Sequence, residues 1–158
     1  MKPEIGSSAP DFSAPLVGGS YRDGEMLTLS GLRGRPVVLV FYPKDSTPGC
    51  TMQACALRDG WEELREKAAI FGVSVDSEKS HRRFIDKHRL PYPLIADVDH
   101  GIVEAYGVWV QKSMFGKKYM GIERTTVVIG PDGKIRAILE KVSPTGHLEQ
   151  LRETLDRS

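Results

Sequence analysis

The sequence predicts an α/β domain in which a mixed sheet is flanked by helices, and three observations carry that prediction. Residues 36–43 (PVVLVFYP) and 69–75 (AIFGVSV) are short, continuous apolar runs rich in β-branched side chains, the signature of strands buried on both faces. Between them Ala54, Leu57, Trp61, Leu64 and Ala68 recur at steps of three and four with charged residues interspersed, which marks an amphipathic helix of roughly 18 residues. From Thr125 onward the runs TTVVI and IRAIL are separated by GPDGK, whose Pro, Asp and Gly supply a turn between antiparallel strands.

Taken in order, strand, helix and strand at residues 36–75 form a parallel βαβ unit with a right-handed crossover. Asp76 or Ser77 then caps a helix running through His88, with Phe84 and Ile85 inward and Lys79, Arg82, Arg83 and Lys87 mostly outward. PYPLIAD offers a short third strand. The hairpin follows, and a last helix carries Leu148, Leu151 and Leu155 on one face. A βαβ half followed by a ββα half is the order of the thioredoxin-like fold. No repeat, linker or low-complexity tract divides the chain, so residues 1–158 are expected to form one domain.

Composition narrows the function. The 158 residues are 40% hydrophobic and 27% charged, which is globular, and 22 basic against 21 acidic residues leave a net charge of +1. No general field therefore draws the chain to nucleic acid or anionic lipid. No run of about 18 apolar residues is present and the first dozen residues lack the pattern of a secretion signal, so a cytoplasmic protein is expected. Two cysteines, Cys50 and Cys55, are too few for a disulfide scaffold.

The chemistry concentrates in FYPKDSTPGCTMQAC, which leaves the first central strand and enters the first long helix. Thr47 suits the N-cap, Pro48 the first helical position, and Cys50 then becomes the third helical residue. Free N–H groups and the positive end of the helix dipole favour thiolate over thiol at that place. Cys50 is accordingly a candidate nucleophile rather than a buried apolar filler. Cys55 lies five residues on, a helical rotation of ~140° and rise of ~7.5 Å that separate the Cα atoms by ~8.7 Å, beyond the ~4.4–6.8 Å of a disulfide. If the two form a redox couple, oxidation must unwind the first turns of the helix.

Pro43-x-x-x-Thr47-x-x-Cys50, with a second cysteine five positions downstream in TPGCTMQAC, resembles the active-site signature of peroxiredoxins, and specifically the bacterioferritin-comigratory-protein or peroxiredoxin Q subfamily. The resemblance runs through SAPDF, the loop GVWVQKSMFGKKYMGIERTT and the closing DGKI, which is nearly the whole chain. It implies a thioredoxin-like fold with an N-terminal β extension. It also implies a thiol peroxidase that needs no metal, flavin or haem and reduces hydrogen peroxide and alkyl hydroperoxides. Cys50 would be the peroxidatic cysteine and Cys55 would resolve its sulfenic acid as an intramolecular disulfide, which thioredoxin reduces. Thr47 would hydrogen-bond the peroxide or thiolate, Pro43 would shield the pocket from water, and Arg124 in GIERTT would be the active-site cation. Gln53 falls where a helper side chain is expected, although an exposed helical glutamine reads equally well. Resolution within one chain requires no dimer, so a monomer is expected.

Other signals are weaker. EKSHRRFIDKHR holds five basic residues and two histidines against two acids, and reads as a solvated helix face rather than a nucleic-acid site. The four histidines show no metal-ligand spacing with the cysteines. Asp97 and Asp99 are expected to end a strand and cap a helix, and Trp109, Met114 and Phe115 to lie in the core, unless a hydrophobic loop there walls the cleft. Two rival classes remain at this stage. A thioredoxin-type oxidoreductase would need Cys-x-x-Cys, and a non-enzymatic interaction domain would carry an ordinary, slow thiol at Cys50.

Overall fold

A computed structural model describes residues 1–157. The chain passes through β1 (Ser13–Val17), β2 (Glu25–Thr28), a 3₁₀ turn at Leu29–Leu32, β3 (Val37–Phe41), α1 (Pro48–Asp59), α2 (Trp61–Lys67), β4 (Ala69–Ser74), α3 (Glu78–His88) and β5 (Leu94–Ala96). It continues through α4 (Gly101–Ala105), β6 (Trp109–Met114), β7 (Lys117–Ile122), β8 (Thr125–Ile129), β9 (Ile135–Leu139) and α5 (His147–Asp156).

Seven strands form one sheet in the order β2-β1-β5-β4-β3-β8-β9. The parallel strands β3, β4 and β5 and the antiparallel pair β8 and β9 reproduce the expected thioredoxin-like core. The β1–β2 hairpin adds to the free side of β5, and is the N-terminal β extension. Every residue of β3 is buried because the sheet is covered on both faces. Val38, Val40 and Tyr42 face a cluster built with α1, α2, α3 and α5, while Val37, Leu39 and Phe41 face one built with α4 and the edge hairpin.

Three expectations are corrected. The predicted single helix after Cys50 is two, α1 and α2, broken at Gly60 (φ −94°, ψ 8°). A Cβ at Gly60 would stand 2.9 Å from Leu148 Cδ1, so the glycine admits α5 at the break. PYPLIAD supplies the short third strand as expected, at Leu94–Ala96, with Pro91 and Pro93, which have no N–H to donate, lying before it. The segment read as a loop between residues 107 and 126 contains the β6–β7 ribbon, a two-stranded sheet turning at Phe115 (φ 51°) and Gly116 (φ 79°). At its tip Phe115 is 98% exposed and Met114 is exposed too, so neither is core; Trp109, at the ribbon's base, is half-buried against the α4-side cluster.

Candidate active site

β3 ends at Phe41, and residues 42–47 lead from its carboxyl end into α1. Thr47 holds the N-cap position, Pro48 the first helical position, and Cys50 is the third residue of the helix. Cys50 is 2% exposed, in the turn whose N–H groups lack intrahelical partners. Thr47 differs from expectation in one respect. Its Oγ1 donates to the Lys44 carbonyl at 2.8 Å and makes no cap bond to a helix N–H, while its backbone carbonyl accepts from Thr51 to start the helix.

Arg124 stands beside this turn although 74 residues separate it from Cys50. The cause is register: β8 runs antiparallel to β3 with Thr125 opposite Phe41, so the residue preceding β8 arrives at the end of β3 from which α1 departs. Arg124 Nη1 lies 3.4 Å from Cys50 Sγ and donates to Gln53 Oε1 at 2.6 Å. Gly49 leaves the space for the guanidinium, since a Cβ there would come within 3.2 Å of Arg124 Nη2. The Arg124 backbone is held in turn by its carbonyl, which accepts from Val142 N–H.

Gln53 is 2% exposed, which removes the reading of it as a surface residue. Among the described residues, Gln53 Nε2 and His147 Nδ1 are the buried side-chain nitrogens left without a hydrogen-bond partner. His147 Nε2 pairs with Thr126 Oγ1 at 2.7 Å, and burial, aided by the Arg124 charge, holds its pKa down at about 4. The imidazole is therefore neutral near pH 7, and Arg124 supplies the nearby positive charge. Lys112, in β6, was missed by the sequence reading. Its pKa is pushed down by burial and by Arg124 and drawn up by Cys50, which places its ammonium in the same field.

Cys50 and Cys55 are both free thiols within the unbroken helix α1, as the Cα geometry of a helix requires. Cys55 is half-buried toward a different neighbourhood, where it helps burial push up the Tyr92 hydroxyl and contributes to raising Arg58. Tyr92 donates to the Ala54 carbonyl at 3.1 Å. Pro43 is half-buried at the start of the loop. A small apolar cavity of about 10 Å³ lies under Cys50, walled by Val40, Tyr42, Gln53, Leu57 and Tyr92 among others.

Asp97 and Asp99 behave as expected. Asp97 accepts from Ile102 and Val103 N–H, and Asp99 from Gly101 N–H, at the start of α4. The sequence reading found no metal spacing, yet the fold brings ligand-type atoms of Asp45, Asp76 and His81 within 4.8 Å of one another. Those atoms are engaged by hydrogen bonds from Tyr42, Ser74 and Ser80, to the Ile95 carbonyl, and to one another. His81 is wholly buried, so the basic stretch around it is not solvated throughout.

The chain that carries this cysteine and arginine is similar to known proteins in both sequence and fold. The AhpC/TSA family model covers residues 5–138. The chain belongs to the AhpC/TSA family, as a peroxiredoxin of the Bcp, or Q, type. Relatives include a putative peroxiredoxin of Coxiella burnetii, 46% identical over 152 residues (96% of this chain, 97% of that one), and peroxiredoxin Bcp of Bacillus subtilis, 44% identical over 156 residues (98% and 96%). Among solved structures, peroxiredoxin Q of Xanthomonas campestris superposes with a TM-score of 0.84 at 36% identity, covering 92% of this chain and 90% of that one. A cysteine-to-serine mutant of the Xylella fastidiosa protein gives 0.88 at 31% identity, covering 98% and 96%. The Xanthomonas protein has been studied for alkyl peroxide reduction. As a peroxiredoxin, this chain is a thiol-dependent peroxidase acting on peroxide substrates.

Proposed function

We propose that Cys50 is the peroxidatic cysteine and Cys55 its resolving partner, within one domain spanning residues 1–158. The Cys50 thiolate attacks one oxygen of the peroxide, the S–O bond forms as the O–O bond breaks, and the departing oxygen takes a proton to leave as water or alcohol. Arg124 stabilises the charge carried from sulfur to the departing oxygen. Thr47, whose proton is committed to the Lys44 carbonyl, presents an oxygen lone pair that accepts the hydroperoxide O–H. Pro43 screens the pocket from water. The observation that carries this reading is the Arg124 guanidinium 3.4 Å from a sulfur in the first turn of α1.

The sulfenic acid is then attacked by the Cys55 thiolate, forming the disulfide and releasing water, after α1 has unwound enough to bring the sulfurs together. A dithiol reductant of thioredoxin type returns both thiols. Hydrogen peroxide and alkyl hydroperoxides are both substrates, the protein acts as a monomer, and its compartment is the cytoplasm. Among the described residues no helix is long and apolar enough to cross a membrane.

The test is reaction of the reduced protein with one equivalent of hydrogen peroxide, followed by intact mass. A loss of about 2 Da, reversed by thioredoxin, is the expected result. Cys55→Ser should instead gain one oxygen and turn over poorly. Normal thioredoxin-driven turnover in that variant would remove Cys55 from the cycle, and inert Cys50 over minutes would return the chain to the interaction-domain reading.

A further inference from the structure

The loop from Tyr42 to Thr47 is pinned at its middle by Asp45, a residue 5% exposed. Tyr42 Oη donates to Asp45 Oδ1 at 2.5 Å, Ser80 Oγ donates to Oδ2 at 2.8 Å, and His81 Nδ1 lies 2.7 Å from Oδ2. The Asp45 N–H donates to Asp76 Oδ2 at 2.8 Å, an oxygen that also accepts from Ser74 Oγ. His81 Nε2 lies 2.9 Å from the Ile95 carbonyl. A carbonyl only accepts, so Nε2 carries a hydrogen, and the short Nδ1 to Oδ2 contact needs a further proton between those two atoms. The loop is thus tied by a proton-bridged buried pair to α3 and, through His81, to β5.

What this clamp holds is the geometry of the residue that follows. Ser46 has φ 64°, a left-handed conformation that a side chain disfavours, and the chain reverses there so that Asp45 turns inward while Thr47 begins α1. A buried polar pair of this kind is a poor source of stability, since apolar residues of similar volume do as well. Its directional bonds do what apolar packing cannot, which is to fix the loop in one position.

We infer that Asp45 and His81 are positioning residues for the peroxidase reaction, acting through the loop to set Thr47 Oγ1 and Cys50 Sγ against Arg124. The inference rests on Cys50 being the attacking thiol. Misplacement of a reacting group by about 1 Å costs on the order of 100-fold in rate, so loosening this clamp should slow attack on peroxide far more than it slows simple alkylation of the same thiol. Two rate constants on the reduced protein separate these effects, one with hydrogen peroxide by stopped flow and one with iodoacetamide.

In Asp45→Asn the peroxide rate should fall about 10- to 100-fold while the iodoacetamide rate stays within about 3-fold. His81→Asn, whose amide N–H stands near the position of Nδ1, should keep most of the peroxide rate. His81→Gln, which reaches toward Ile95 rather than Asp45, should lose it. Tyr42→Phe removes one bond to Asp45 at constant volume and decides the matter if the aspartate variant does not fold, with an expected drop of about 3-fold. Peroxide rates within 2-fold of the parent in Asp45→Asn or, failing that, in Tyr42→Phe would overturn the inference, as would a parallel fall in both rates or equal rates for the two His81 variants. A parent protein that does not consume peroxide would overturn the peroxidase reading itself.

Discussion

Two polar clusters flank Cys50, and they are built on opposite terms. On the loop side, Asp45, His81, Tyr42, Ser80 and Asp76 form a closed network in which each polar side chain finds a partner. On the β8 side, Arg124 bridges Cys50 and Gln53, yet Gln53 Nε2 goes unpaired, as does Nδ1 of His147, whose pKa the Arg124 charge helps to lower. Buried polar groups are ordinarily satisfied, so the second cluster carries an uncompensated cost. A saturated network serves to hold, whereas an unsaturated one keeps hydrogen-bonding capacity in reserve, which under the proposed mechanism would be available to an incoming peroxide.

This contrast is open to attack in order of effect. Cys50→Ser should abolish peroxide consumption outright while leaving the closed network and the fold intact, as measured by peroxide loss and circular dichroism; retained consumption would place the nucleophile elsewhere. Arg124→Ala should reduce the rate constant with hydrogen peroxide by about 10²- to 10³-fold, the usual cost of deleting a donor to developing negative charge. A drop under 10-fold would mean the open cluster is not the reactive one. Gln53→Ala leaves the cation in place but without its anchor, and about a 10-fold decrease is expected from lost orientation.

His147 gives the comparison a pH axis. The unfolded imidazole titrates near 6.5 and the folded one near 4, so between these values the unfolded chain takes up a proton that the folded one refuses. Stability from this group is complete above pH 6.5, declines as pH falls, and levels off below 4, for a total of about 3 kcal/mol. In His147→Gln that part of the acid loss should vanish from urea unfolding curves taken between pH 7 and 4. Smallest of all, Phe115→Ser at the ribbon tip should change stability by no more than about 0.5 kcal/mol, since its side chain is free of both clusters and of the core.

The sequence made the buried strands and the start of α1 legible because their signals are local: apolar runs, a threonine and proline at a helix start, a cysteine two residues on. The β6–β7 ribbon was not legible. Gln111, Lys112, Ser113, Lys117 and Lys118 put polar groups on both of its faces, so no alternation marks a buried side. Arg124 could be proposed only by resemblance, because its approach to Cys50 depends on the β3–β8 register, a contact between distant residues. His81 was hidden for a related reason. It sits in the most basic stretch of the chain, and only the packing of α3 on β5 turns it inward, away from the exposed charges beside it.

Gly60 gives α1 an end of its own. The twelve residues of α1 lie between the left-handed turn at Ser46 and the break at Gly60, boundaries at which local opening of this helix could stop short of α2. Trp61 lies just beyond that boundary, its ring 5.8 Å from Tyr92. If Cys50 and Cys55 pair as proposed, oxidation should raise amide exchange across residues 48–59 and leave it slow in α2, which would confine the local melting to one short segment beside an intact sheet.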